Sequence, residues 1–363
     1  MGNPDEVLQP SQAPLRTDAH ADAYVRAGVD VAAGNAAVDL YRILTETWHH
    51  PDQLGAIGGF GGLFRMPGDP TRALVASTDG VGTKLLIAAE LRRYDGVGRD
   101  LVNHCVNDIL VVNATPLFFL DYLAVGKLDP RVAALIVGGV QAACRKHQTA
   151  LLGGETAEMP GLYQKEHFDL AGTIVGIVDV ANVPDYEQVQ PGDAVIGLPA
   201  VGLHTNGYSL ARRLIPAAEW NESFPAAGPT FTFGDALLAE HPSYAAAVRA
   251  VQAVSRVKSM AHITGGGLLE NVGRTLPARC KAVFEQSRWS VPPIFLELVR
   301  RGNLTIEERY RTFNMGIGYT LIVPFIEARR ALDAFPDARV VGWIEERRSD
   351  EPAVVVHAAR SSA

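Results

Sequence analysis

Four stretches of the chain, three of them rich in glycine, carry acidic or hydroxyl side chains in ways that suit a phosphorylated ligand. Ser77-Thr78-Asp79-Gly80-Val81-Gly82-Thr83-Lys84 follows a run of strand-forming residues that begins at Ala73. Glycines there would let backbone N–H groups approach an anion closely, and Lys84 would add a point charge. The spacing is not that of a Walker A loop, because Thr83 rather than glycine precedes Lys84 and Leu85 follows it. It is not a dinucleotide fingerprint either, since no Gly-x-Gly-x-x-Gly can be completed from Gly80 and Gly82. Taken alone, an ordinary glycine-rich turn accounts for it equally well.

The second stretch, Asn107-Asp108, lies in a helical pattern where Asp100, His104 and Asp108 recur at i, i+4 and i+8 and so share one face. On spacing alone a solvated helix face is the better reading. The third, Gly153-Gly154-Glu155-Thr156-Ala157-Glu158-Met159-Pro160-Gly161, also follows a strand pattern, and capping of a following helix competes evenly with a functional role for Glu155 and Glu158. Taken together, Asp79, Asp108 and Glu155 each fall at or near the end of an expected element. Mg²⁺ takes carboxylate oxygens and keeps waters and nucleotide phosphates, so a composite magnesium–nucleotide site is one reading of the three acids. The fourth set pairs His204-Thr205-Asn206-Gly207-Tyr208-Ser209 with His262-Ile263-Thr264-Gly265-Gly266-Gly267, each just before an expected helix. Helix N-termini attract anions, although plain capping is the commoner use of Ser, Thr and Asn there. Tyr310-Arg311-Thr312-Phe313-Asn314 adds a polar stretch with a permanently charged Arg311.

These residues must be held by elements that the hydrophobic pattern locates. Strands are expected at 73–78, 117–125, 149–152, 171–178, 194–198, 319–323 and 340–344. Helices are expected at 99–113, 130–147, from Tyr208, from Leu268 and at 327–335. In the first of these helices, Leu101, Val102, Cys105, Val106, Ile109 and Leu110 form the apolar stripe. Asn182 to Asp193, with Pro184, Pro191 and Gly192, reads as a linker, and 216–232 as a surface excursion. The expectation is an α+β chain of two mixed α/β domains, 19–182 and 183–363, behind a disordered tail over 1–18. Its 363 residues exceed the size at which one core usually stops growing.

A formal charge of -7 argues against nonspecific nucleic-acid binding, which depends on clustered Lys and Arg. Cys105, Cys144 and Cys280 are far apart and lack Cys-x-x-Cys spacing, so neither a disulfide framework nor a zinc-cysteine site is indicated. The first residues have no apolar signal core, and no apolar run is long enough to span a bilayer. A cytoplasmic protein with no membrane partner is expected.

Read as an ordered series, the blocks resemble the phosphoribosylformylglycinamidine cyclo-ligase family. They are YVRAGVDVAAGN from Tyr24, IGGFGGLF from Ile57, TDGVGTK from Thr78, CVND from Cys105, PLFFLDYLAVGKLD from Pro116, GGETAEMPG from Gly153, HTNGYS from His204, HITGGG from His262 and YRTFNMGIG from Tyr310. The resemblance implies a homodimer whose N-terminal domains pair their sheets, with ATP and formylglycinamidine ribonucleotide bound in a cleft between the domains. ATP and Mg²⁺ are the implied cofactors, and a K⁺ requirement is left open. The resemblance also implies roles for individual residues. Asp79, Asp108 and Glu155 would serve the metal and triphosphate, and Gly80, Gly82, Thr83, Lys84 and Asn107 would help hold ATP. Asn206, Ser209, Thr264, Gly265, Gly266 and Gly267 would hold substrate or its phosphate, and His204 would transfer a proton.

The chain departs from the family pattern in several places. Val25-Arg26 stands where members carry Lys-Asp, and Asn113-Ala114-Thr115-Pro116 where they carry Gly-Ala-Glu-Pro. Arg42 replaces a Lys, and Leu268 or Leu269 an aromatic. Two other readings compete. Selenophosphate synthetase, thiamine-phosphate kinase and a hydrogenase-maturation protein share the implied ATP site, but selenide chemistry calls for an early reactive cysteine and none precedes Cys105. A noncatalytic nucleotide-binding paralogue is the reading from another class.

Overall fold

The structure is a computed structural model that describes residues 23–228 and 230–358. The tail expected over 1–18 lies outside the described residues. Two six-stranded sheets, each carrying helices, make two mixed α/β domains. The first sheet contains β1 (Gln53–Leu54), β2 (Gly62–Met66), β3 (Asp69–Gly80), β4 (Thr115–Val125), β5 (Ala150–Glu158) and β6 (Phe168–Asp179) in the order β1-β2-β3-β6-β4-β5. The pairings are antiparallel except that of β4 with β5. Before it run α1 (Ala23–Arg26) and α2 (Val31–Glu46), and between its strands α3 (Lys84–Glu90), α4 (Asp95–Leu110) and α5 (Pro130–Lys146).

The second sheet has β7 (Ala194–Pro199), β8 (Ser259–His262), β9 (Cys280–Glu285), β10 (Ile317–Val323), β11 (Arg339–Glu346) and β12 (Val354–His357), ordered β12-β9-β11-β7-β10-β8. Its helices are α6 (Tyr208–Leu214), α7 (Phe233–Leu237), α8 (Ala245–Gln252), α9 (Gly267–Gly273), α10 (Pro293–Gly302), α11 (Ile306–Thr312) and α12 (Ala328–Ala334).

The apolar stripe of α4 packs as expected, with Leu101, Val102, Cys105, Val106, Ile109 and Leu110 all at most 2% exposed. The opposite face is the surprise: every residue from Asp100 to Leu110 is buried, so the acid–histidine face is not solvated. A helix hidden on all sides needs two partners. One is sheet 1 with α5, and α4 and α5 approach closely through Gly98 and Gly139. A Cβ on Gly98 would lie 2.2 Å from the Ile136 carbonyl oxygen, and one on Gly139 would lie 2.1 Å from that of Asp95. The other partner is the segment from Ala239 to Tyr244 together with β8. One apolar core runs from Ile109 and Phe119 through Val248 to Tyr319 and Leu321, joining the two halves.

Three expectations change. Gly153 to Glu158 belongs to β5 rather than to a loop that opens a helix, because parallel pairing from Phe118–Ala150 to Val125–Glu158 takes up its backbone. The stretch after Pro216 is anchored as well as irregular, for Trp220 and Phe224 are buried and the Trp220 indole donates to the Ile215 carbonyl at 2.8 Å. The turn before β4 survives the loss of glycine. Asn113 takes the left-handed conformation at φ 64°, which Asn tolerates, and its side chain bonds Gln252 Nε2 and the Asn182 carbonyl.

Candidate functional site

The site lies where the covered face of α4 meets the loops of the second sheet. Asp79 and Gly172 are cross-strand partners on β3 and β6, and a Cβ on Gly172 would touch Phe119 and Leu101, so this face of sheet 1 looks at α4. That aims Asp79 at the helix, where its Oδ2 lies 2.8 Å from His104 Nε2. Asp108, one turn on from His104, places Oδ2 3.5 Å from the same nitrogen, and its Oδ1 accepts from His262 Nδ1 at 2.8 Å. His262 Nε2 is 3.0 Å from His241 Nε2, His241 Nδ1 is 3.5 Å from Thr205 Oγ1, and that hydroxyl is 2.6 Å from His104 Nδ1. The contacts thus close a circuit: Asp79 and Asp108 to His104, Thr205, His241, His262 and back to Asp108. It ties strand β3 and helix α4 to the loop before α6, the segment before α8, and the end of β8.

Burial and charge oppose each other within this circuit. Burial alone would depress the His104 imidazole, but the carboxylates of Asp79 and Asp108 outweigh it and hold its pKa well above the ordinary histidine range. Burial would raise the Asp108 carboxyl; His104 and His262 reverse that and hold it below the usual carboxylate range. His241 is pushed well below its ordinary value by burial and by the neighbouring His204 and His262, and His262 is lowered by burial against the pull of Asp108.

The loops expected to bind phosphate and substrate do gather here. Thr83 Oγ1 is 3.3 Å from Ser209 Oγ, and a Cβ on Gly82 would lie 3.7 Å from the Thr205 carbonyl oxygen. The buried Nδ2 of Asn206 has no hydrogen-bond partner among the described residues, while its Oδ1 lies 3.4 Å from where a Cβ on Gly265 would stand. The loop Thr264 to Gly267 is fixed by Asn271, whose Nδ2 donates to the carbonyls of Thr264, Gly265 and Gly267. Gly267 is obligatory there: at φ 60° a Cβ would meet the Tyr310 carbonyl at 2.0 Å.

Four expected roles do not fit these positions. Lys84 is 1% exposed, forms an ion pair with Asp100 Oδ2 at 2.6 Å and donates to the carbonyls of Ala239 and His204, so its charge is engaged inside the protein. Asn107 is likewise consumed, accepting from Tyr244 N and donating to the Pro242 carbonyl. Glu155 is exposed beside Tyr122 on the outward face of sheet 1, three strands from Asp79, and this chain does not bring it to the other two acids. Three strand spacings are roughly 14 Å. His204 is 1% exposed with a left-handed backbone at φ 62°. It stacks on His241 at 4.1 Å and reaches Tyr244 Oη at 3.3 Å through Nε2. Burial, with electrostatic repulsion from His262, Lys84 and His104, keeps its pKa well below the ordinary value. It is a buried spacer rather than a group open to substrate.

His241 is the functional candidate that sequence reasoning passed over, and His104 the one it read only as part of a solvated helix face. The signal for His104 was present, a polar stripe on an otherwise apolar helix. His241 sits in His-Pro-Ser-Tyr with neither glycine nor periodicity to mark it.

Comparison with known proteins bears on the family and the fold. Residues 60–178 match the model for the N-terminal domain of AIR synthase related proteins, and 190–355 match the model for their C-terminal domain. Phosphoribosylformylglycinamidine cyclo-ligase of Desulfitobacterium hafniense is 47% identical over 302 residues, covering 83% of this chain and 88% of the relative. The enzyme of the same name from Coxiella burnetii is 42% identical over 340 residues, covering 92% of this chain and 96% of the relative. Among solved structures, AaThiL complexed with AMPPCP and TMP superimposes with a TM-score of 0.60 at 16% identity, covering 87% of this chain and 92% of that one. E. coli HypE, a hydrogenase maturation protein, gives 0.59 at 16% identity over 80% and 83%. At such identity these structures share the fold. No helix among the described residues is long and apolar enough to cross a membrane.

Proposed function

The chain belongs to the phosphoribosylformylglycinamidine cyclo-ligase family, and from that premise we propose how its residues close the imidazole ring. The reaction converts formylglycinamidine ribonucleotide and ATP to 5-aminoimidazole ribonucleotide, ADP and phosphate. The formyl amide oxygen is a poor leaving group, so it first takes the γ-phosphoryl group of ATP. The amidine-side nitrogen then attacks that carbon, loses its proton, and the carbon–oxygen bond breaks as phosphate departs. Little covalent work falls to the protein; alignment and charge neutralisation carry the rate.

The observation that carries this reading is the meeting of Asp79 and Asp108 at one His104 nitrogen, beside the loops 80–83, 204–209 and 264–267. Carboxylate oxygens suit a hard cation, which keeps several waters, and Asp79 keeps 39% of its side chain open, so the two acids support a Mg²⁺ role directly or through its waters. Bound there, Mg²⁺ would neutralise charge on the ATP phosphates. Asp79 and Asp108 would hold it, with the backbone of Gly80, Gly82 and Thr83 beside the nucleotide. The free Nδ2 of Asn206, with Ser209 and the loop Thr264 to Gly267, supports a substrate side to the same cleft. His104, its pKa held up by the two carboxylates against burial, sets a positive charge between them.

The domain boundary in this reading falls at 182/183. A homodimer pairing the outer faces of sheet 1 is supported by Leu120, Tyr122 and Leu152, apolar side chains that are 39–63% exposed there. The test is incubation with formylglycinamidine ribonucleotide, ATP and Mg²⁺, following the aromatic amine product and ADP. One ADP per ring formed, and no ADP without the ribonucleotide, is the expected result. A clean, folded protein that makes no product while a known cyclo-ligase does would overturn the reading.

A further inference from the structure

On the far side of α4 from the acid pair, the end of α5 meets α8 across a cavity of about 310 Å³. Lys146 and His147 line it from the N-terminal half and Arg249 from the C-terminal half, with Gln148 and Ser243 beside them. Among the described residues, no Asp or Glu lines it. The chain as a whole has 40 acidic residues against 33 Lys and Arg, so a cavity with basic groups alone runs against its average. Field from like charges adds in such a cleft and draws in a counter-ion.

Neither cation is spent on the protein. Among the described residues, the Lys146 ammonium and the Arg249 guanidinium take part in no hydrogen bond or ion pair. Other cations that cross the same boundary are paired, Arg93 with Asp235 and Arg99 with Glu240, each at 2.7 Å. Here the boundary instead brings two like charges to one cavity.

His147 registers the imbalance. Its Nε2 lies 2.9 Å from Asn103 Oδ1, and Asn103 Nδ2 donates to the His241 carbonyl at 2.8 Å, so Nε2 carries the ring proton. Nδ1 has no hydrogen-bond partner among the described residues. Burial, then repulsion from Lys146 and Arg249, lowers the imidazole to about 4. An anion in the cavity would offset both cations and favour the charged ring. The apolar wall of Val106 and Leu110 would strengthen every such contact by excluding water.

We propose that the cavity between α5 and α8 binds a small tetrahedral oxyanion of the phosphate class, held by Lys146 and His147 from one half and Arg249 from the other. A guanidinium presents a planar fork of donors that matches phosphate oxygens, and an ammonium adds a point charge. The volume is at the lower end of ligand pockets, which suits a small anion rather than a whole nucleotide. Through Asn103 the cavity reaches the backbone of His241, so the bound anion fastens the domain junction from behind. The cavity shares no residue with the acid pair or with the loops given to nucleotide and substrate. Anion binding and ring closure can therefore fail separately.

The test uses the full chain with ¹³C-labelled histidine rings, titrated with sulfate between about pH 7 and pH 5 while circular dichroism confirms the fold. Sulfate stays doubly charged over this range, and chloride holds the ionic strength constant. The His147 resonance, identified by its loss in His147→Gln, should move saturably. Its titration midpoint should rise from about 4 by at least about one unit, which corresponds to about tenfold tighter sulfate binding to the charged ring. Arg249→Gln should weaken sulfate at least about tenfold, as loss of a charge-assisted hydrogen bond does. Arg329→Gln, at a surface arginine outside the cavity, should leave it unchanged. Inorganic phosphate and glycerol phosphate then separate the sources: competition by the first supports a free anion, and by the second alone a phosphorylated small molecule. Should Arg249→Gln fail to fold, Lys146→Gln at the exposed end of α5 supplies the same test. No saturable shift at millimolar sulfate, a shift that chloride reproduces, or a shift undiminished in a folded variant of either cation overturns the proposal.

Discussion

Two surfaces of the N-terminal sheet treat polarity in opposite ways. The face toward α4 leads into a closed polar junction, where Asp100, His104, Asp108, His241 and His262 are all 5% exposed or less and nearly all bonded. The outward face shows Leu120, Tyr122 and Leu152 to solvent. Burying charge is costly unless it is paired, so the junction persists only because residues from both halves complete one another. Leaving apolar surface open is tolerated when another surface covers it. One face therefore joins domains within a chain, and the other is suited to join chains.

The sharpest way to break the junction is to remove one half of its most buried ion pair. Asp100 Oδ1 accepts from His241 N at 2.7 Å, and its Oδ2 faces Lys84. Burial already raises its pKa, with Lys84 and the His241 N–H working against that. Lys84→Met should destabilise the fold by about 3–5 kcal/mol, the usual cost of stranding a buried charge. Chemical denaturation would show it as a lower midpoint. A loss below about 1 kcal/mol would mean that Lys84 is free to serve a ligand after all.

Acid should loosen the same junction more gradually. His204, His241 and His262 have folded pKa values below their unfolded ones, so below about pH 6.5 the unfolded chain takes up protons that the folded chain refuses. Each can contribute up to about 1.4 kcal/mol of lost stability per pH unit in that window. His104 has the opposite sign: its folded pKa is raised, so its stabilisation is full below about pH 6.5 and is lost only as pH rises through the folded value. Asp108 has a depressed folded pKa, and its share fails only below about pH 4. The thermal midpoint is therefore expected to fall between pH 7 and pH 5. A midpoint that rises over that interval would show that the three histidines are not held neutral.

The outward face should respond in assembly rather than in folding. In the proposed homodimer, Leu120→Glu is expected to shift the protein from dimer to monomer in light scattering. Its monomer stability should stay within about 0.5 kcal/mol, as for most exposed positions. A dimer that survives the charge would place the contact elsewhere.

Much of the scaffold was legible because it depends on local pattern. The apolar stripe of α4, the aromatic run of β4 and Pro130 opening α5 gave those elements to within a few residues. The polar side of α4 was misread because periodicity tells which residues share a face and says nothing about what covers it. Lys84 was misread for a related reason. A lysine after glycines resembles a phosphate ligand until the fold sets Asp100 beside it, 16 positions away in the chain. Asp79 and Asp108 were legible as acids at the ends of elements, whereas their meeting point, His104, depended on the tertiary arrangement.

The acid pair at the junction is best tested by calorimetry of a nonhydrolysable ATP analogue, with and without Mg²⁺, on the wild type and on Asp108→Asn. Binding that requires Mg²⁺ and weakens at least about tenfold in a folded Asp108→Asn protein is the expected result, on the scale of about 1.4 kcal/mol or more. Equal affinity in the two proteins, or binding indifferent to Mg²⁺, would contradict it.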